Sequence, residues 1–206
     1  PADAVRPTRA EVNLAALRAN LRTVRGFAEG AAIWAVLKAD GYGHGAPAVA
    51  RTLERAGVDG FCVALFEEGV ELRDAGIRVP ILVMGGYYAG VHREMVHRGL
   101  VPVVYDMAQI EGFARLVRSG AIDGPVRVHL KVDTGMARLG VAMRQLPQFV
   151  SAMAQFEEVR VEGLMSHFAS ADERDSAQTE RQLALFDEAR LAIRRAGCVP
   201  AVRHVA

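Results

Sequence analysis

Apolar residues Leu14, Leu17, Leu21 and Val24 recur at the interval of a helix face, and at Ala32-Ile33-Trp34-Ala35-Val36-Leu37 that period gives way to a short continuous apolar run. Such a run predicts a strand buried on both sides. The switch then repeats along the chain. Residues 47–56 predict a helix with Pro47 in its first turn and Gly57 as its stop, and 60–65 the next strand. A second crossover helix is expected over 66–75, then strands over 80–84 and 101–105 with a short helix over 91–98 between them. Asp106 is placed to cap a helix whose inner face is Ile110, Phe113, Leu116 and Val117, closed by Gly120. Strands over 126–132 and 159–165 flank a helix over 145–156, a long helix covers 173–196, and a seventh strand runs over 199–204.

Strands alternating with helices build right-handed βαβ units on a parallel sheet, either an open doubly wound sheet or a barrel. The reading favoured here is α/β, a (β/α)8 TIM-type barrel, incomplete in the 206 residues, with about seven strands and no C-terminal β domain. No low-complexity stretch or charged linker divides it, so residues 1–206 are expected to form one unit. A composition 51% hydrophobic and 24% charged supplies an ordinary core and excludes disorder. Lys and Arg number 25 against 24 acidic residues, which leaves no bulk field to recruit nucleic acid or an anionic membrane and points to a small-molecule partner. No apolar run approaches the roughly 18 residues of a membrane span, and residues 1–6 show no signal-peptide pattern, so a cytoplasmic location is expected. Cys62 and Cys198 read as reduced thiols outside any metal-type cluster, and no metal is expected.

In a barrel the chemistry gathers where strands end. The first strand ends at Lys38, the fifth carries Lys131 and runs into Asp133 and Arg138, the sixth runs into His167, and the seventh ends at His204. Each has a plainer reading. Lys38 could be a solvated rim lysine, Arg138 an ordinary ion pair with Asp133, and His167 and His204 satisfied core residues. Past Lys38 the glycines Gly41, Gly43 and Gly45 allow a sharp turn and close approach of a ligand to the backbone. His44, Asp40 and Asp172 read first as turn and cap residues, and Trp34 as packing.

The segment Ala35-Val36-Leu37-Lys38-Ala39-Asp40-Gly41-Tyr42-Gly43-His44-Gly45 resembles the cofactor-lysine motif of alanine racemases. Two further segments resemble that family in the same order: His129-Leu130-Lys131-Val132-Asp133-Thr134-Gly135-Met136-Ala137-Arg138-Leu139-Gly140, and Met165-Ser166-His167-Phe168-Ala169-Ser170-Ala171-Asp172. Similarity extends from 6–12 to Arg203-His204-Val205-Ala206. The resemblance implies that Lys38 carries pyridoxal 5'-phosphate as a Schiff base and is one of two acid/base groups, with Tyr42 donating to the cofactor phosphate. It implies that Arg138 sits beside the cofactor's phenolic oxygen and orients the substrate carboxylate, and that Lys131 is carbamylated and supports it. His167 would lie near the pyridine ring and His204 near the phosphate. The implied protein is an isomerase, a cytoplasmic homodimer interconverting L- and D-alanine and supplying D-alanine for peptidoglycan. Its second base is a tyrosine of the partner subunit's C-terminal β domain, so the 206 residues alone are expected to racemise poorly. Two alternatives share the lysine: a non-catalytic pyridoxal-phosphate carrier involved in cofactor homeostasis, and a racemase of broader amino-acid range.

Overall fold

The expected alternation is present in the computed structural model, which describes residues 10–86 and 90–205. Residues 6–9 of the opening similarity and Ala206 of the closing one lie outside the described residues. Helix α1 (Leu14–Phe27) starts at Asn13, whose side chain accepts from the backbone N–H groups of Ala15 and Ala16. Strand β1 (Trp34–Val36) follows, then a short turn α2 (Lys38–Gly43) and helix α3 (Ala46–Arg55). The next units are β2 (Gly60–Val63) with α4 (Phe66–Asp74), β3 (Ile81–Val83) with α5 (His92–His97), and β4 (Leu100–Val104) with α6 (Met107–Arg118). The chain continues through β5 (Val126–Asp133), β6 (Val141–Ala142), α7 (Leu146–Met153), β7 (Val159–Ser166), α8 (Ala177–Arg195) and β8 (Val202–Val205). Asp106 caps α6 as expected, its carboxylate accepting from Ala108 N at 2.8 Å.

Several boundaries differ from the sequence reading: β1 is shorter than the apolar run 32–37, β2 ends at Val63 rather than 65, and α7 ends at Met153 rather than 156. The long helix begins at Ala177 rather than 173, because Asp175 accepts from Ala177 N at 3.0 Å and the residues before it form turns. The last strand begins at Val202 rather than 199. Two elements were not expected at all, the two-residue β6 paired to β5 and the turn α2.

The sheet order is β1-β2-β3-β4-β5-β7-β8, and every pairing is parallel. Its outer face carries the main core: Phe61, Val63, Ile81, Val83, Val104, Val128, Leu130 and Leu164 pack against helices that contribute Leu53, Leu72, Met95, Ile110, Phe113, Phe186 and Ile193. A separate small cluster of Cys62, Leu82, Val103 and Met165 fills part of the inner face. Four strand spacings of about 4.8 Å would hold β1 and β5 some 19 Å apart on a flat sheet. Instead the rings of Trp34 on β1 and His129 on β5 lie 6.0 Å apart, so the sheet is curled around a lumen, as a barrel requires. Gly60 permits this approach, since a Cβ there would fall 2.7 Å from the Trp34 ring.

Candidate active site

Strand alternation points His129 and Lys131, two residues apart on β5, into the lumen, while Val128, Leu130 and Val132 face the helices. A cavity of about 670 Å³ opens there at the C-terminal ends of the strands. Its lining brings together Lys38, Tyr42, Lys131, Arg138, His167 and His204, all six residues singled out from sequence, with Met84 and Met165 among its apolar wall residues. Trp34, read as packing, also lines it. Cys62 does so as well, and burial pushes its thiol up to about 12, which leaves it inert as a nucleophile.

The backbone beside Lys38 is the least ordinary part of the chain. Ala39, Asp40, Gly41 and Tyr42 all sit in the left-handed region, at φ 52, 54, 62 and 56. Each non-glycine residue so placed costs roughly 1–2 kcal/mol, and consecutive ones are rare. Polar bonds hold the turn. Gly41 N donates to Leu37 O at 2.9 Å, Gly45 N to Asp40 O at 3.0 Å, and Ala46 N to the Asp40 carboxylate at 2.6 Å. His44 Nδ1 lies 2.9 Å from Gly41 O, so Asp40 and His44 serve the turn as the sequence suggested. The turn carries the Tyr42 ring to 5.7 Å from Lys38 Nζ. Ala137, just before Arg138, is also left-handed at φ 58, and Asp133 holds that loop by accepting from Gly135 N and Ala137 N at 2.9 and 3.1 Å. Asp133 therefore shapes the loop, and among the described residues no ion pair joins it to Arg138. Of the five described non-glycine residues with positive φ, four flank Lys38 or Arg138, which is where strain at a functional site is expected.

Lys131 is 5% exposed and has no hydrogen-bonding partner among the described residues. Burial pushes its amine below the ordinary lysine value, Arg138 and Lys38 add to the shift, and Asp133 opposes it. His129 Nδ1 lies 2.9 Å from His204 Nε2, with the rings at 67°. Desolvation, with the other ring's help, drives His129 down to about 3, and desolvation with Lys131 nearby takes His204 to about 4. Both rings are therefore neutral at pH 7. Gly163 makes room for the pair, because a Cβ there would stand 2.5 Å from the His129 ring.

Behind Arg138 and His167 lies a buried polar chain. Ser166 Oγ donates to Val132 O at 2.9 Å, which leaves Thr134 Oγ1 as the donor in their 2.7 Å contact. Gln182 then donates to Thr134 Oγ1 at 3.3 Å and to His167 O at 3.0 Å, and accepts from Ala169 N at 2.9 Å. Sequence reasoning missed His129 and Gln182. His129 had a signal in its two-residue offset from Lys131. Gln182 had one as a polar residue in helical register with Phe186, Ala189 and Ile193.

Fold and cavity together define a barrel-type α/β protein with a cavity at the C-terminal mouth of its strands, ringed by amines, a guanidinium and imidazoles. Residues 12–206 match the family described as "Alanine racemase, N-terminal domain", and the chain belongs to that family. It is 56% identical over 207 residues to an alanine racemase of Sorangium cellulosum (strain So ce56), covering 97% of this chain and 54% of that protein. An alanine racemase of Geobacter sp. (strain M21) is 42% identical over 205 residues, covering 98% of this chain and 54% of its own length. Among solved structures, alanine racemase of Clostridium difficile 630 superposes with a TM-score of 0.91 at 33% identity, covering 98% of this chain and 56% of that one. The enzyme from D-cycloserine producing Streptomyces lavendulae gives 0.90 at 34% identity, with coverage of 98% and 53%. The chain thus spans about half the length of the curated relatives it matches.

Proposed function

We propose that this chain forms the cofactor-binding part of an alanine racemase that interconverts L- and D-alanine, with pyridoxal 5'-phosphate held at Lys38. The observation that carries the reading is the convergence of Lys38, Tyr42, Lys131, Arg138, His167 and His204 on one cavity from four separate stretches of chain. The donor set suits the cofactor: a primary amine for an aldehyde, an almost buried Lys131 without a hydrogen-bonding partner among the described residues, a guanidinium for oxyanions, and apolar walls for a ring. When bound, that cofactor supplies the electron sink for a carbanion at Cα.

The protein's residues do the rest. Lys38 would hold the cofactor through its side-chain amine and, as a free amine, would move a proton to or from one face of Cα. Arg138 would orient the substrate carboxylate and hold the cofactor's phenolic oxygen, Tyr42 would donate its hydroxyl to the phosphate, His167 would serve the pyridine ring, and His204 would serve the phosphate. Lys131, favoured as a neutral amine by its burial, adds carbon dioxide and releases a proton. The resulting carbamate anion faces Arg138 as a charge-assisted partner where an ammonium would repel it. The acid for the opposite face of Cα comes from a partner subunit in a homodimer. The reading places the enzyme in the cytoplasm, with D-alanine passing to peptidoglycan.

Lys38→Arg in the full-length protein tests it. Expected are loss of the visible absorbance of lysine-linked cofactor and a fall in alanine racemisation of at least about 10³-fold. Retention of both would overturn the assignment. Solvent deuterium entering Cα of L-alanine under the wild-type protein separates an enzyme from a carrier, which would give no exchange beyond free cofactor.

A further inference from the structure

Glu68 and Gln109 hold the same position in two strand–helix units, β2–α4 and β4–α6, as the third residue of each helix. Gln109 caps its helix with one amide oxygen, which accepts from Tyr105 N at 2.8 Å and Asp106 N at 3.1 Å. Glu68 repeats that geometry with one carboxylate oxygen, Oε2, which accepts from Ala64 N at 2.8 Å and Leu65 N at 3.0 Å. Capping a helix after a strand in this chain therefore requires a single oxygen and no charge. The second oxygen of Glu68 is surplus to that task, and it reaches into a different βα unit. Oε1 accepts from Ala39 N at 2.6 Å.

Ala39 directly follows Lys38 and is the first left-handed residue of α2. The ladder between β1 and β2 ends one step earlier, where Leu37 N donates to Cys62 O at 2.8 Å. Beyond that bond the backbone reverses hand. Glu68 continues the tie between the two strand ends where the ladder no longer can, and a charged acceptor makes the stronger bond.

We propose that Glu68 is a positioning residue for Lys38: its second carboxylate oxygen, bound to the Ala39 N–H, fixes the left-handed turn and so the direction in which Lys38 presents its amine to the cavity. The inference rests on the reading of Lys38 given above, and its test separates the two. In the full-length protein, Glu68→Gln keeps one acceptor oxygen for the cap, as Gln109 does, but turns an amide N–H₂ toward the Ala39 N–H. Amide hydrogen exchange over residues 39–45 of the cofactor-free protein is expected to quicken about tenfold or more. The reconstituted variant is expected to show kcat lowered about tenfold with KM for alanine little changed. Gln109→Ala is the control: exchange quickens around 105–110, while 39–45 and kcat stay as in the wild type. Should Glu68→Gln fail to fold, Glu68→Asp, one methylene too short to span both sites, reads the same exchange. Wild-type exchange at 39–45 in the Glu68 variant, or an equal kcat loss in Gln109→Ala, overturns the proposal. Failure of the Lys38 reading would show instead as cofactor retained by Lys38→Arg, with the exchange result unaffected.

Discussion

His129 and His204 show how single side chains tie stability to pH. Both rings stay neutral in the folded protein down to about 3 and about 4, because burial disfavours their charged forms and Lys131 stands beside His204. In the unfolded chain they take up protons near the ordinary histidine value of about 6.5. Between about pH 6.5 and 4 the unfolded state therefore binds more protons than the native state, and stability falls as pH falls through that window. The slope expected is about 1.4 kcal/mol per pH unit for each ring, flattening above pH 6.5. Urea unfolding of the full-length protein from pH 4.5 to 8 measures it, and a His129→Asn variant should lose part of the slope. A flat profile over that range would contradict the neutral pair. At this scale the sequence exposed the residues that sit inside long motifs, Lys38, Lys131, Arg138 and His167. It hid Glu68, because its value depends on a partner 29 positions away that only the folded sheet brings near.

Elements were legible where their periodicity was strong and hidden where the backbone left its usual handedness. Strands β1 to β5, β7 and β8 and their helices follow from runs of Val, Ile and Leu interrupted by caps, and Asp106 marked the start of α6. The turn α2 was beyond reach, since no propensity scale describes Ala, Asp and Tyr turning left in succession. Likewise β6 is two residues long, too short for any pattern. The junction of α8 with β5 and β7 makes a further prediction. Gln182 is 2% exposed and bonds Thr134, His167 and Ala169 in a chain whose donor order is fully determined. Gln182→Leu keeps the volume and leaves Ala169 N–H and His167 C=O without that partner, at a cost of roughly 1–3 kcal/mol. A denaturant midpoint unchanged within error would show that α8 does not lock those strand ends.

For the whole molecule a parallel α/β sheet could be read from alternation alone, which fits an open sheet as well as a barrel, while the curl could not, because it is a property of contacts between strands four places apart. The described sheet has two edges, β1 and β8, each paired on one side only. Nearby, Phe27 is 81% exposed and Val24 52%. Unpaired edges beside apolar surface invite association. The 206-residue polypeptide, produced by itself, is expected to self-associate at micromolar concentration, which light scattering would register; a monodisperse monomer would count against the open edges. The closeness of Trp34 to His129 across the lumen has a practical side. Trp34 is the sole indole in the sequence, so its emission is an optical gauge of the curl: any opening between β1 and β5 that moves the imidazole away should brighten or shift that one signal, with no label added.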